Sequence, residues 1–163
     1  MKADRVLNIK IAGLGGMGIL KSSEVLAEVL FKAGHDVKKA EVHGMSQRGG
    51  SVASDLRFGR EVLSPMIPEG ETDYLLLVAP EVADIHKTAL RADGVTISAE
   101  QFNEVQLANR KSLNIAMLGA LSRYLNIPEE RWIETIRAVF PEKLWAVNEA
   151  AFKAGKAVAG RSV

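Results

Sequence analysis

The sequence predicts an α/β domain with a mostly parallel sheet and a helical C-terminal third, and three observations predict it. Short apolar, β-branched runs alternate with helical periodicity as far as Ser98, the pattern of strands joined by crossover helices. A glycine-rich turn, Gly13-Leu14-Gly15-Gly16-Met17-Gly18, follows the first strand directly. From about Asn109 onward the pattern is helical throughout. The 163 residues suit a single domain, 1–163, large enough to bury its own core.

The first strand is read over Val6 to Leu14, where only Asn8 and Lys10 interrupt an apolar run, as in a strand covered on both faces. A helix from about Met17 to Ala33 follows, with Leu26, Val29, Leu30 and Ala33 at helical spacing and Gly34 as its stop. Asp36 to Val42 reads as a second strand. Ser51 to Phe58 alternates polar and apolar residues, which predicts a half-buried third strand with an extension at Glu61 to Leu63. Pro65, Pro68 and Gly70 mark a loop, and Tyr74 to Ala79 is another strand covered on both faces.

Pro80 opens a predicted helix, Glu81 to Leu90, with Val82, Ile85 and Ala89 on one side. Asp93-Gly94 reads as a turn into a strand at Val95 to Ser98. Leu113 to Leu125 is apolar almost all round and predicts a helix buried on several faces. Pro128 opens the next helix, striped by Trp132, Ile133, Ile136, Val139 and Phe140 and stopped by Pro141. A last helix runs from Glu142 to about Lys156.

Composition narrows the chemistry. A net charge of +1 gives no sign of a nucleic-acid or membrane-surface partner. The chain has no cysteine, so it forms no disulfide, offers no thiolate and ligates no iron–sulfur cluster through sulfur. His35, His43 and His86 are scattered, with no spacing that suits a metal. The N-terminal residues lack the apolar core of a signal peptide, and no run is long enough to span a membrane, which points to the cytoplasm.

Gly13-x-Gly15-x-x-Gly18 fits the dinucleotide fingerprint in its strand–turn–helix setting. Glycines there allow a sharp turn and close approach, and the helix amides beyond favour an anion. A phosphate-binding P-loop is excluded, because Ile19 follows Gly18 and Lys21-Ser22 come two residues late. A nicotinamide dinucleotide site stays open, with Asp36 and Glu41 bracketing the place of the ribose-binding acid. Packing of strand on helix is the competing explanation for the glycines.

The second glycine segment, His43-Gly44-Met45-Ser46-Gln47-Arg48-Gly49-Gly50, sets an arginine before two glycines between extended segments. Backbone amides and the Arg48 fork suit an anion or an interface. Ser46 and His43 have no apparent acidic third member, so no hydrolase triad is read. Trp132 and Trp145 are expected as core or interface anchors, and Met17 and Met45 as apolar contacts in the two glycine segments. His86 is expected on a helix surface. Asn114 needs a partner if buried, and Gly119 permits close approach of another backbone.

Four segments together, IAGLGGMGI, EVHGMSQRGGSV, NIAMLGALS and NEAAFKAG, resemble the gamma-type subunits of 2-oxoacid:ferredoxin oxidoreductases, most of all the indolepyruvate branch. The resemblance covers nearly the whole chain. It implies a Rossmann-like three-layer domain that is inactive alone and completes a thiamine-diphosphate enzyme. A larger partner subunit would hold the thiamine diphosphate and the iron–sulfur clusters. The reaction implied is oxidative decarboxylation of a 2-oxoacid to an acyl-coenzyme A, with ferredoxin taking the electrons and coenzyme A as co-substrate. Binding positions carried over are Gly13, Gly15, Gly16, Gly18, Arg48, Gly49 and Gly50, with no catalytic or metal-ligating residue assigned. A free-standing NAD(P)-binding module is the alternative, and a homodimer of the isolated chain is left open.

Overall fold

Four of five strands point the same way, and the exception shapes the molecule. A computed structural model describes residues 5–43 and 50–158. Its sheet has the order β2-β3-β1-β4-β5, from β1 (Leu7–Leu14), β2 (Asp36–His43), β3 (Ser51–Gly59), β4 (Thr72–Leu77) and β5 (Leu90–Ser98). β1 pairs in parallel with β4, and β4 with β5. β3 lies antiparallel between β1 and β2, with Leu14 opposite Ser51 and His43 opposite Val52.

The α-helices are α1 (Ile19–Lys32), the four-residue α2 (Ala83–His86), α3 (Leu113–Ser122), α4 (Glu129–Val139) and α5 (Trp145–Val158). One face of the sheet carries the main core. Ile9, Ile11, Leu56, Leu76 and Ile97 pack there against apolar residues of α1, α3, α4 and α5. Trp132 is fully buried with its ring 5.3 Å from that of Phe152. Trp145 donates from Nε1 to the Phe140 carbonyl at 2.8 Å and sits under Arg137. The other face has a smaller core of Ala12, Ala53, Leu75, Leu77 and Val82. The segment 80–89 covers it at one end, and the loop after β3 at the other, with Val62 N donating to Asp36 at 2.7 Å.

Several expectations change. The third strand is not half-buried: with strands on both sides and both faces covered, Ala53, Ser54, Asp55 and Leu56 are all buried. Residues 61–63 form no strand. The helix expected over 81–90 is broken into two 3₁₀ turns flanking α2, and Ile85 stands out 62% exposed while Val82 and Ala89 are buried. Asp93-Gly94 makes no turn but lies inside β5, beside a register irregularity. Gly34, with φ 93°, does close α1 in the left-handed region.

Gly119 brings α3 and α5 into backbone contact. A Cβ at Gly119 would lie 2.0 Å from the Phe152 carbonyl oxygen, and one at Gly155 1.7 Å from that of Ala116. No helix among the described residues is long and apolar enough to cross a membrane.

Candidate functional site

From β1 the chain moves through α1 to the β2 side of the sheet; from β4 it moves the opposite way to β5. Right-handed crossovers then place α1 and the 80–89 segment on opposite faces and leave a crevice at the carboxyl ends of β1 and β4. The glycine turn opens into that crevice. Gly16 and Gly18 adopt φ of 86° and 74°, which other residues rarely take, and Gly18 caps α1 with no side-chain help. Asn114 supplies the missing contact from α3, 96 positions away, donating from Nδ2 to the Gly18 carbonyl at 2.9 Å. A Cβ on Gly18 would sit 2.6 Å from that same nitrogen. The polar residue inside the apolar helix therefore fixes the turn.

The inverted strand β3 brings the second glycine segment to the same edge. Gly15 N donates to the Gly50 carbonyl at 3.3 Å, so the two segments meet. Gly44, Met45, Ser46, Arg48 and Gly49 lie outside the described residues. Of the four glycines in the first turn, Gly13 is tied to packing, since its Cβ would come 2.8 Å from Ile19 Cδ1. A Cβ on Gly15 would have nothing within 4 Å among the described residues.

A cleft of about 500 Å³ extends from Gly16, Met17 and Gly18 across Val78 to the start of α3 and the first turns of α5. Lys21, Arg110 and Lys111 border it, and no carboxylate among the described residues lines it. Arg110 is held by two carbonyls, Phe102 O at 3.2 Å and Val105 O at 3.3 Å, which leaves its charge without a carboxylate partner among the described residues. Sequence reading missed these cations. The available signal was Arg110-Lys111 placed directly before an apolar helix, where amides and cations reinforce each other.

The acid of a dinucleotide site is poorly placed. Asp36 lies at the amino end of β2, bound to Lys38 at 2.8 Å and to Val62 N. Glu41 pairs with Lys39 at 3.4 Å, and β3 lies between β2 and β1, which puts them about 9.6 Å apart, twice the spacing of adjacent strands. The topology turns against a free-standing NAD(P) module.

His86 is not a free surface residue. It is half-buried, with Nε2 3.2 Å from Ser51 Oγ. Burial, and next the charge of Lys10, hold its pKa below the ordinary 6.5, against the opposing pull of Asp55 and Glu69. The unfolded chain therefore takes up a proton near 6.5 that the folded chain resists, and stability falls as pH drops through that value. Denaturant midpoints are expected to decline between about pH 7 and about pH 5.5, and to decline less in His86→Gln. Equal slopes for both proteins would remove this role.

Comparison with known proteins fits this geometry. A family model described as pyruvate ferredoxin/flavodoxin oxidoreductase matches residues 8–103 and 95–158. The indolepyruvate oxidoreductase subunit IorB of Thermococcus kodakarensis is 32% identical over 188 residues, covering 91% of this chain and 93% of that protein. The 2-oxoglutarate:ferredoxin oxidoreductase of Magnetococcus marinus, solved with 2-oxoglutarate, coenzyme A and succinyl-CoA bound, superposes with TM-score 0.82 at 23% identity. That match covers 98% of this chain and 32% of the longer one. The keto/oxoacid ferredoxin oxidoreductase gamma subunit of Geobacter sulfurreducens gives 0.75 at 20% identity, covering 94% of this chain and 98% of that one. These two likenesses speak to the fold, while the family model and the sequence relative reach further: the chain belongs to the pyruvate ferredoxin/flavodoxin oxidoreductase family.

Proposed function

We propose that the chain is the small subunit of a thiamine-diphosphate-dependent 2-oxoacid:ferredoxin oxidoreductase, acting on an arylpyruvate such as indolepyruvate with a larger catalytic subunit. The observation that carries this is the match to an indolepyruvate oxidoreductase subunit over nine-tenths of both chains. The larger subunit holds the thiamine diphosphate and the clusters, since a chain without cysteine has no thiolates for iron. The cofactor supplies the carbanion chemistry of decarboxylation. This chain contributes an amide-lined turn at the start of α1, joined through Gly15 and Gly50 to the Arg48-Gly49-Gly50 segment. That pair of segments binds an anionic group of coenzyme A or docks beside the partner's cofactor.

Gentle affinity purification from the native source, followed by native mass spectrometry, tests the assembly. A larger chain bringing thiamine diphosphate and iron is expected; recovery of this chain alone with a bound dinucleotide would overturn the proposal. Within the complex, Arg48→Ala is expected to raise the coenzyme A concentration needed for half-maximal rate, by about tenfold for one lost charge-assisted contact. Gly15→Ala separates binding from packing. Its methyl meets no atom of the described residues within 4 Å, so the melting temperature is expected to hold while coenzyme A dependence changes. A variant with wild-type kinetics would assign the glycine to backbone geometry alone.

A further inference from the structure

β2 ends the sheet with its outer edge open. It pairs with β3 along Asp36–His43 in an unbroken register, and no strand among the described residues joins it on the other side. Such an edge offers a row of backbone N–H and C=O groups to another strand. The usual devices that blunt an edge are missing from it. The strand holds no proline and no bulge, and its two acids, Asp36 and Glu41, balance its two lysines, Lys38 and Lys39. Within the chain Lys38 pairs with Asp36 at 2.8 Å and Lys39 with Glu41 at 3.4 Å, all through partly exposed side chains, and such pairs are weak. Val42 stands 48% exposed on the sheet face it shares with Lys38 and Ala40.

The residues of the strand select its partner. When two copies of one edge pair about a two-fold axis, the strands run antiparallel and one residue lies opposite its own copy. With Lys38, Lys39 or Glu41 in that place, a charge would face its like. With Val37 or Val42 there, only three residues of each strand would pair, and fewer beyond. Ala40 alone avoids both. It aligns seven residues, 37–43, and sets Lys39 opposite Glu41 of the second copy and Glu41 opposite that copy's Lys39. The Lys39–Glu41 pair within each chain persists, so four charges alternate around the axis. On the other face the alkyl stem of Lys38 lies over Val42 of the second copy, which answers the exposure of that valine. We infer that β2 is a self-pairing edge, through which two copies of this chain join their five-stranded sheets into one of ten with Ala40 on the axis.

The absence of cysteine makes the register readable. In the full chain, Ala40→Cys is expected to form a reducible cross-linked dimer under mild oxidation, because residues directly opposite on an antiparallel pair lie within disulfide reach. Lys38→Cys and Val42→Cys should stay uncrosslinked, each displaced from its own copy by four residues, about 13 Å along the strand. Sedimentation velocity adds the charge test. A seven-residue edge is a small interface, so mass is followed from about 1 μM to about 500 μM chain. The wild type should pass from monomer to dimer in that range, and Lys39→Glu or Glu41→Lys should each weaken the dimer about tenfold. Mixing the two variants should restore it, since each then faces the opposite charge, which an effect within one chain would not do. A wild type that stays monomeric throughout, cross-linking of Lys38→Cys as fast as Ala40→Cys, or no recovery on mixing overturns the inference. Should a larger subunit co-purify, cross-linking of Ala40→Cys to it instead would do the same and assign the edge to that subunit.

Discussion

Gly155→Ala is expected to lower the melting temperature by about 6–12 °C, from a loss of about 3 kcal/mol at about 2–4 °C per kcal/mol for a chain of this size. Intrinsic preference predicts the reverse, since alanine in a helix interior is favoured over glycine by about 0.5–1 kcal/mol. Packing decides the sign. The added methyl carbon would lie 1.7 Å from the Ala116 carbonyl oxygen and 2.4 Å from its carbon, both parts of a buried helix backbone that has no rotamer to change. Gly119→Ala meets Phe152 O at 2.0 Å and Lys156 N at 2.9 Å, so it should behave alike. Thermal unfolding of each variant checks the pair, and a raised melting temperature in either would show that α3 and α5 do not touch through their backbones.

Asp55→Ala should cost about 3 kcal/mol, because it strands a mostly buried ammonium. Lys10 and Asp55 sit directly opposite each other on β1 and β3 and form an ion pair, their side chains only 12% and 7% exposed. No other carboxylate lies within ion-pair distance of Lys10 among the described residues. Removing both charges is a different matter. The double variant Lys10→Met, Asp55→Leu should recover most of the loss, since well-packed apolar residues often match or exceed a buried pair. Denaturant unfolding of the wild type, both single variants and the double variant gives the coupling directly. A single variant within about 0.5 kcal/mol of wild type would mean that water reaches the pair.

The strands β1 and β4 were legible because both faces of a central strand leave a continuous apolar run. The helices at Pro128 and Pro141 were legible because proline marks their ends. β3 misled because Ser51, Asp55 and Arg57 fall on one face, opposite Val52, Leu56 and Phe58, as on a strand with one side in water, while Asp55 is buried. What covers the strand, α1 on one face and the 80–89 segment with Lys10 on the other, comes from elsewhere in the chain, and periodicity carries no such information. The inversion of β3 likewise has no local mark: Ser51 to Phe58 reads the same in either direction. At the site the glycine turn was plain, and Asn114 stood out as a polar residue needing a partner. That its partner is Gly18, and that Lys21 shares a cleft with Arg110 and Lys111, depends on bringing together segments nearly a hundred residues apart.

The inverted strand also bears on the order in which the chain assembles. β2 and β3 are neighbours in sequence and pair with each other, and β3 then pairs with β1. All three strands, with α1, are therefore complete once Gly59 has been synthesised, and β4 is not needed for any of their pairings. Loop-closure entropy favours such near contacts over distant ones. Pulse-labelled hydrogen exchange during refolding should find the amides of β2 and β3 protected before those linking β4 to β5. Their glycine segments would then be set side by side before the half of the crevice contributed by α3 exists.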